Sequence, residues 1–161
     1  MRSLTPVEAA AGVAVIGSLV AAALPTFVGN LRASRLTEPM DGLNRIAARA
    51  TALSAGRAAA VAYPPSVDLT PHDVPQGRAV QDAPGTWEHP SWRLLDFSIT
   101  VPHHFSFGFT SQDAAAEAHF RAFAHGDLDG DGVLSTFSIR GTARDGADPT
   151  LEPMELTREV E

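Results

Sequence analysis

Apolar and polar positions along the chain fall into three successive regimes. The first is an unbroken apolar run, Ala9 to Gly29, interrupted only by small or weakly polar residues such as Gly12, Gly17, Ser18 and Thr26. Crossing a bilayer takes about 20 apolar residues in helical form, so this run is long enough to span one. A single carboxylate, Glu8, stands at its mouth, just after Leu4-Thr5-Pro6-Val7. A charge at the rim of a membrane segment is costly and tends to mark function. No cation lies beside Glu8 in its own run, so a partner on another subunit would compensate it.

The second regime has helical period. Leu36, Met40, Leu43, Ala47, Ala50, Leu53 and Val61 recur mostly at steps of three and four, one face of a helix. Glu38, Arg45 and Arg49 lie off that stripe. Pro39 predicts a kink, because proline removes an i→i−4 hydrogen bond. Pro64-Pro65 predict the end of the helix near Tyr63. A helix from about Leu4 to Ala62 would be roughly 90 Å long at 1.5 Å per residue.

The third regime alternates. Residues 64–91 are rich in Pro, Asp and Gly and read as a long loop between helix and sheet. Four strands are then expected: one on Leu95, Phe97, Ile99 and Val101, and one on Phe105, Phe107 and Phe109. A third carries Ala118, Phe120, Ala122 and Ala124 on one face, and a fourth Val133, Phe137 and Ile139. The expected fold class is α+β, with a long N-terminal helix whose upper part packs on a four-stranded antiparallel sheet. The expected organisation is 1–3 as residual leader, 4–29 as membrane or filament-core helix and 30–63 as amphipathic upper stem. Then follow 64–91 as loop, 92–141 as sheet and 142–161 as an acidic tail, draped on the head or disordered.

Composition narrows the partners. The 161 residues fit one modest domain plus an anchor. A formal net charge of −7 argues against nucleic-acid binding, which needs a basic footprint. There is no cysteine, so no disulfide can staple the head.

Leu4, Thr5, Pro6, Val7 and Glu8 lie on the pattern with which mature type IV pilins and the pseudopilins of type II secretion begin, with Pro6 in place of the usual Leu. Pro25, seventeen residues after Glu8, falls at that family's helix-interrupting proline, and Gly17 where many members have glycine. The chain therefore resembles that family over roughly its first third. The resemblance implies a pilin fold and cleavage of a short leader between Ser3 and Leu4 by prepilin peptidase. It also implies methylation of the new N-terminus, and assembly through Leu4, Thr5, Glu8, Gly17 and Pro25. Glu8 would pair with the free N-terminal amine of a neighbouring subunit, and the stem would loosen between Gly17 and Pro25 on assembly. Implied partners are other pilin or pseudopilin subunits, the inner-membrane assembly platform, prepilin peptidase and the lipid bilayer. Implied locations are the bacterial inner membrane, with the head outside the cytoplasm, and then a pilus or periplasmic pseudopilus.

Only Arg2 precedes the apolar run, whereas Arg32, Arg35, Arg45 and Arg49 follow it. The positive-inside rule alone would place the head in the cytoplasm; a longer basic leader would restore the implied orientation. Cleavage after Ser3, no cleavage, and a start further upstream all remain open. So do a plain anchor and a cleaved signal peptide with Ala21-Ala22-Ala23 as its exit.

The sharpest local motif is Asp127-Leu128-Asp129-Gly130-Asp131-Gly132. Oxygen donors at positions 1, 3 and 5 with glycine at 6 match the first half of an EF-hand loop, and Ser135 stands at position 9. The bidentate Glu of position 12 is replaced by Ser138. Asp-Gly pairs equally signal a β-hairpin turn, and pilin-like chains carry such a turn, matched by Gly126 through Gly132, before their last strand. Calcium on Asp127, Asp129, Asp131 and Ser135 is thus an alternative to a bare turn, and no cofactor is required. The histidines are scattered, and surface or half-buried positions are expected for them. Trp87 and Trp92 are expected to pack their loop on the sheet edge, with a sugar or protein contact site as the alternative. No nucleophile elbow, P-loop or H-E-x-x-H occurs, so no catalytic residue is assigned. Two rivals to a filament subunit remain: a membrane-anchored binding module with a calcium-stabilised head that never polymerises, and a secreted enzyme.

Overall fold

The computed structural model describes Ser18 and residues 36–157. The motif Leu4 to Glu8, the leader position Ser3, Gly17 and Pro25 lie outside the described residues, as does nearly all of the apolar run. Among the described residues no helix is long and apolar enough to cross a membrane.

The head is one helix packed on a six-stranded antiparallel sheet. Helix α1 spans Thr37–Ser54. Its inward face is Pro39, Gly42, Leu43, Ile46, Ala47, Ala50 and Ser54. The stripe is therefore rotated from the expected one: Leu43, Ala47 and Ala50 are buried, but Met40 and Val61 are exposed and Ile46 faces the core. Gly42 permits the close approach, since a Cβ there would meet the Phe107 ring. Pro39 sits in the first turn of α1, where a missing N–H costs little; the stem before Leu36, on which the expected kink depends, lies outside the described residues. The helix ends at Ser54 and not near Tyr63. Ala55 is extended and Gly56 takes a left-handed φ of 73°. Termination is thus by glycine, ahead of the proline pair, and a 3-10 turn at Ala59–Val61 follows.

The sheet comprises β1 (Val67–Thr70), β2 (Phe105–Gln112), β3 (Glu117–Gly126), β4 (Ser135–Arg144), β5 (Thr150–Leu151) and β6 (Glu155–Thr157). The order is β1-β2-β3-β4-β5, and β6 also pairs with β4. Period-2 alternation places Phe105, Phe107 and Phe109 of β2 in the core, with Ala118, Phe120, Ala122 and Ala124 of β3 and Phe137 and Ile139 of β4. Large rings on β2 face the alanines of β3, with Phe107 opposite Ala124 and Phe109 opposite Ala122. Those alanines leave room for α1, which contacts β3 and β4.

Three expected boundaries are corrected. Leu95 to Val101 is not a strand. Helix α2 (Pro90–Leu94) runs into it, the Phe97 N–H donates to the Trp92 carbonyl at 3.0 Å, and Asp96 has a φ of 50°. Leu95 and Phe97 are buried in the core, Phe97 against Trp87 and Trp92, while Val101 is exposed. The segment 64–91 holds β1, paired with β2. The segment after Ala143 is no simple tail. Strands β5 and β6 pair with β4 through the backbone, and Arg140 of β4 adds exposed ion pairs to Glu155 at 2.9 Å and Glu152 at 3.8 Å.

Candidate functional site

Two clusters of polar side chains stand out in the head. The first is the loop joining β3 to β4. Gly126 pairs with Ser135, so the connection is the eight residues 127–134, longer than a two-residue turn. Asp127 is 1% exposed at its base. Its Oδ1 accepts from the Gly130 N–H at 2.7 Å and its Oδ2 from the Gly132 N–H at 3.0 Å. Both glycines have left-handed φ, 82° and 87°, which their lack of Cβ allows. Asp129 accepts from Asp131 N–H at 3.2 Å, and Asp131 from Val133 N–H at 2.7 Å. Leu128 is buried in the core and anchors the loop from below. Gly77 N–H donates to the Asp127 carbonyl at 2.7 Å, tying the preceding loop to the same spot.

One carboxylate oxygen each from Asp127, Asp129 and Asp131 lies within 4.8 Å of the others. The structure thus brings together the three sequence-predicted carboxylates, the latter two exposed. Ser135 begins β4 and is buried. Each carboxylate already accepts at least one backbone N–H, so the loop has an internal scaffold of its own. Asp127→Ala should cost about 1–3 kcal/mol, because two N–H donors lose their acceptor. Asp129→Ala should cost clearly less, since that side chain is exposed. Urea denaturation of the two variants checks the ranking; equal destabilisation would contradict it.

The second cluster was not legible beforehand. Trp92 is fully buried and donates its indole N–H to Thr70 Oγ1 at 3.0 Å. Trp87 packs against Trp92, Phe97 and Phe107 and donates its indole N–H to Asp82 Oδ2 at 2.7 Å. Asp82 also meets His103, whose side chain is 1% exposed. His103 therefore departs from the surface or half-buried position expected of it. The sequence signal was absent: Asp82 and His103 are twenty-one positions apart.

On the outer face of β3, His119 is exposed beside Thr142, and His125 is half-buried on Thr136. Burial, and then the nearby Arg121 charge, push His125 below the ordinary imidazole range. The histidines of β3 do not converge on one another or on a carboxylate trio, and the group among the described residues with the spacing to hold a metal ion is the aspartate loop.

Fold and clusters define the class as an α+β head, a helix on an antiparallel sheet with one carboxylate-rich hairpin loop. Comparison with protein-family models, with curated proteins and with solved structures finds no match for this chain.

Proposed function

We propose that this chain is a structural subunit of a type IV pilus-like filament, a minor pilin or pseudopilin. The observation that carries the reading is Leu4-Thr5-Pro6-Val7-Glu8 running directly into an apolar stretch with Pro25 seventeen residues beyond Glu8. The head supports it, because a helix packed on an antiparallel sheet is the architecture the resemblance implies. The inner membrane stores the subunit by its apolar run. Extraction then buries that run among its neighbours, and Glu8 is neutralised by the N-terminal amine of an adjacent subunit. Leu4 and Thr5 form the new N-terminus, and Gly17 and Pro25 mark where helix is weakest, glycine by about 1 kcal/mol relative to alanine. No catalytic role is assigned to any residue.

Prepilin peptidase separates this reading from a non-polymerising anchored module. Coexpression should yield a mature chain beginning at Leu4; a chain that keeps its original N-terminus and never enters filaments contradicts the proposal.

A calcium-stabilised head is a second reading, favoured by the three converging carboxylates. With no Glu at position 12, binding should fall around the 10⁻⁴–10⁻³ M of extracellular modules. The melting midpoint of the full chain in detergent should then be higher in millimolar Ca²⁺ than in chelator, and Asp129→Ala should abolish the difference. An unchanged midpoint leaves the loop as a hairpin held by its own hydrogen bonds.

A further inference from the structure

The Trp87 loop borders a groove that filament assembly does not use. It opens between residues 81–88 and residues 98–100, with a volume of about 400 Å³, within the range of small-molecule sites. Its walls are tied in place. Gln81 Nε2 donates to the Thr100 carbonyl at 3.3 Å and joins one wall to the other. On the first wall the Thr86 N–H donates to the Ala83 carbonyl at 3.3 Å, and the Glu88 N–H to the Gly85 carbonyl at 3.1 Å.

Trp87 is half-buried and lines the groove. Its ring is wedged against Trp92 and Phe97, both at 5.4 Å, and its indole N–H is held by Asp82. The part of the indole left open is therefore presented in one fixed orientation, at no ordering cost to a ligand. Asp82 also lines the groove, although its side chain is only 6% exposed. Its contacts with Trp87 and His103 both fall on Oδ2. Oδ1 accepts no hydrogen bond from the described residues, so a carboxylate oxygen with unused lone pairs stands beside a fixed indole.

We propose that this groove is a binding site for a neutral pyranose sugar. A pyranose has an apolar face of C–H groups and a rim of hydroxyls. The face fits the indole beside Ile99, and the rim needs acceptors and donors close by. Asp82 Oδ1 accepts, and the hydroxyls of Ser98 and Thr100, exposed on the facing wall, both donate and accept. Charge selects the kind of sugar. Asp82 and Glu88 line the groove, and among the described residues no lysine, arginine or histidine does. Arg93 meets Glu88 at 3.4 Å from outside it. An acidic sugar would bring like charge against two carboxylates. A small organic cation would satisfy the charge but leave the two hydroxyls unused. The site belongs to the head alone and stands whether or not the chain polymerises.

The test is a ¹⁵N NMR titration of the full-length chain in a polyoxyethylene detergent, which carries no sugar headgroup. The probes are the methyl pyranosides of glucose, galactose, mannose and N-acetylglucosamine, with methyl glucuronide and tetramethylammonium as controls. At least one neutral pyranoside should shift the Trp87 indole N–H and amides within 81–88 and 98–100 saturably. The dissociation constant should be on the order of 1 mM, as for a ligand of about 13 non-hydrogen atoms at ordinary efficiency. Methyl glucuronide and tetramethylammonium should bind at least tenfold more weakly. Ser98→Tyr fills the groove from an exposed position and should weaken binding tenfold or more without lowering the melting midpoint. No saturable shift in the groove with any of the four pyranosides up to roughly 50 mM overturns the proposal. So does either control binding as tightly as the best sugar, or full binding by folded Ser98→Tyr. If Ser98→Tyr does not fold, the titration of the unaltered chain decides alone.

Discussion

Glu8→Ala is expected to leave the protein inserted in the membrane while nearly removing it from assembled filaments. Insertion depends on the apolar run Ala9 to Gly29, which the substitution leaves whole and makes slightly more apolar. Incorporation, on the proposed reading, depends on a carboxylate meeting a neighbour's amine in a setting without water. Removing one member of such a pair strands the other charge, at a cost of about 3–5 kcal/mol. That corresponds to a loss on the order of a hundred-fold or more in incorporation, at 1.4 kcal/mol per factor of ten. Glu8→Gln should fail almost as badly, because it keeps the shape and loses the charge. The measurement is the ratio of protein in sheared filaments to protein in the membrane fraction. An undiminished ratio for Glu8→Ala would remove the electrostatic pairing from the account.

The second large effect concerns the head. Phe107→Ala is expected to destabilise it by about 3–5 kcal/mol, the range for a buried aromatic cut to alanine. Phe107 is fully buried at the centre of the packing. Its ring lies under Gly42 of α1, 5.2 Å from Phe97 and 6.4 Å from Trp87. Truncation therefore opens a void shared by helix, sheet and the 80–97 region, and none of the three can close it alone. Domains of this size hold roughly 5–15 kcal/mol in total. The melting midpoint should fall by on the order of 10–20 °C. A fall of only about 2 °C, comparable to an exposed substitution, would contradict this picture of the core.

Legibility followed period and length. Strands β2 and β3 were readable because Phe105, Phe107 and Phe109, and Ala118 to Ala124, alternate strictly over long stretches. The same rule misled at Leu95 to Val101. There alternation is incidental, since α2 and the left-handed Asp96 turn the chain and bury Leu95 and Phe97 in the core, Phe97 against the tryptophans. Strand β1 is four residues set between Pro64-Pro65 and Pro71, too short to show a period. Strands β5 and β6 hide in acidic sequence because they are two and three residues long, too short to show a period, and are attached by backbone pairing to β4. Helix α1 stopped early because Gly56 competes locally and the proline pair acts only further on.

At the sites, the aspartate loop was legible as a motif, because its three carboxylates are adjacent in sequence. Its length and the double acceptor role of Asp127 were not, since both depend on where β3 and β4 stop pairing. The Asp82–Trp87–His103 cluster could not be read at all. It exists only because the 80–87 segment folds back beside the start of β2.

The central claim is that this chain polymerises. It is tested most directly by expressing the unaltered chain with a pilus or pseudopilus assembly system and analysing sheared filaments by mass spectrometry. The account predicts the chain within the filaments, with its N-terminus at Leu4 and methylated. Filaments that form without it, while all of the chain stays in the membrane with its leader attached, would contradict the account.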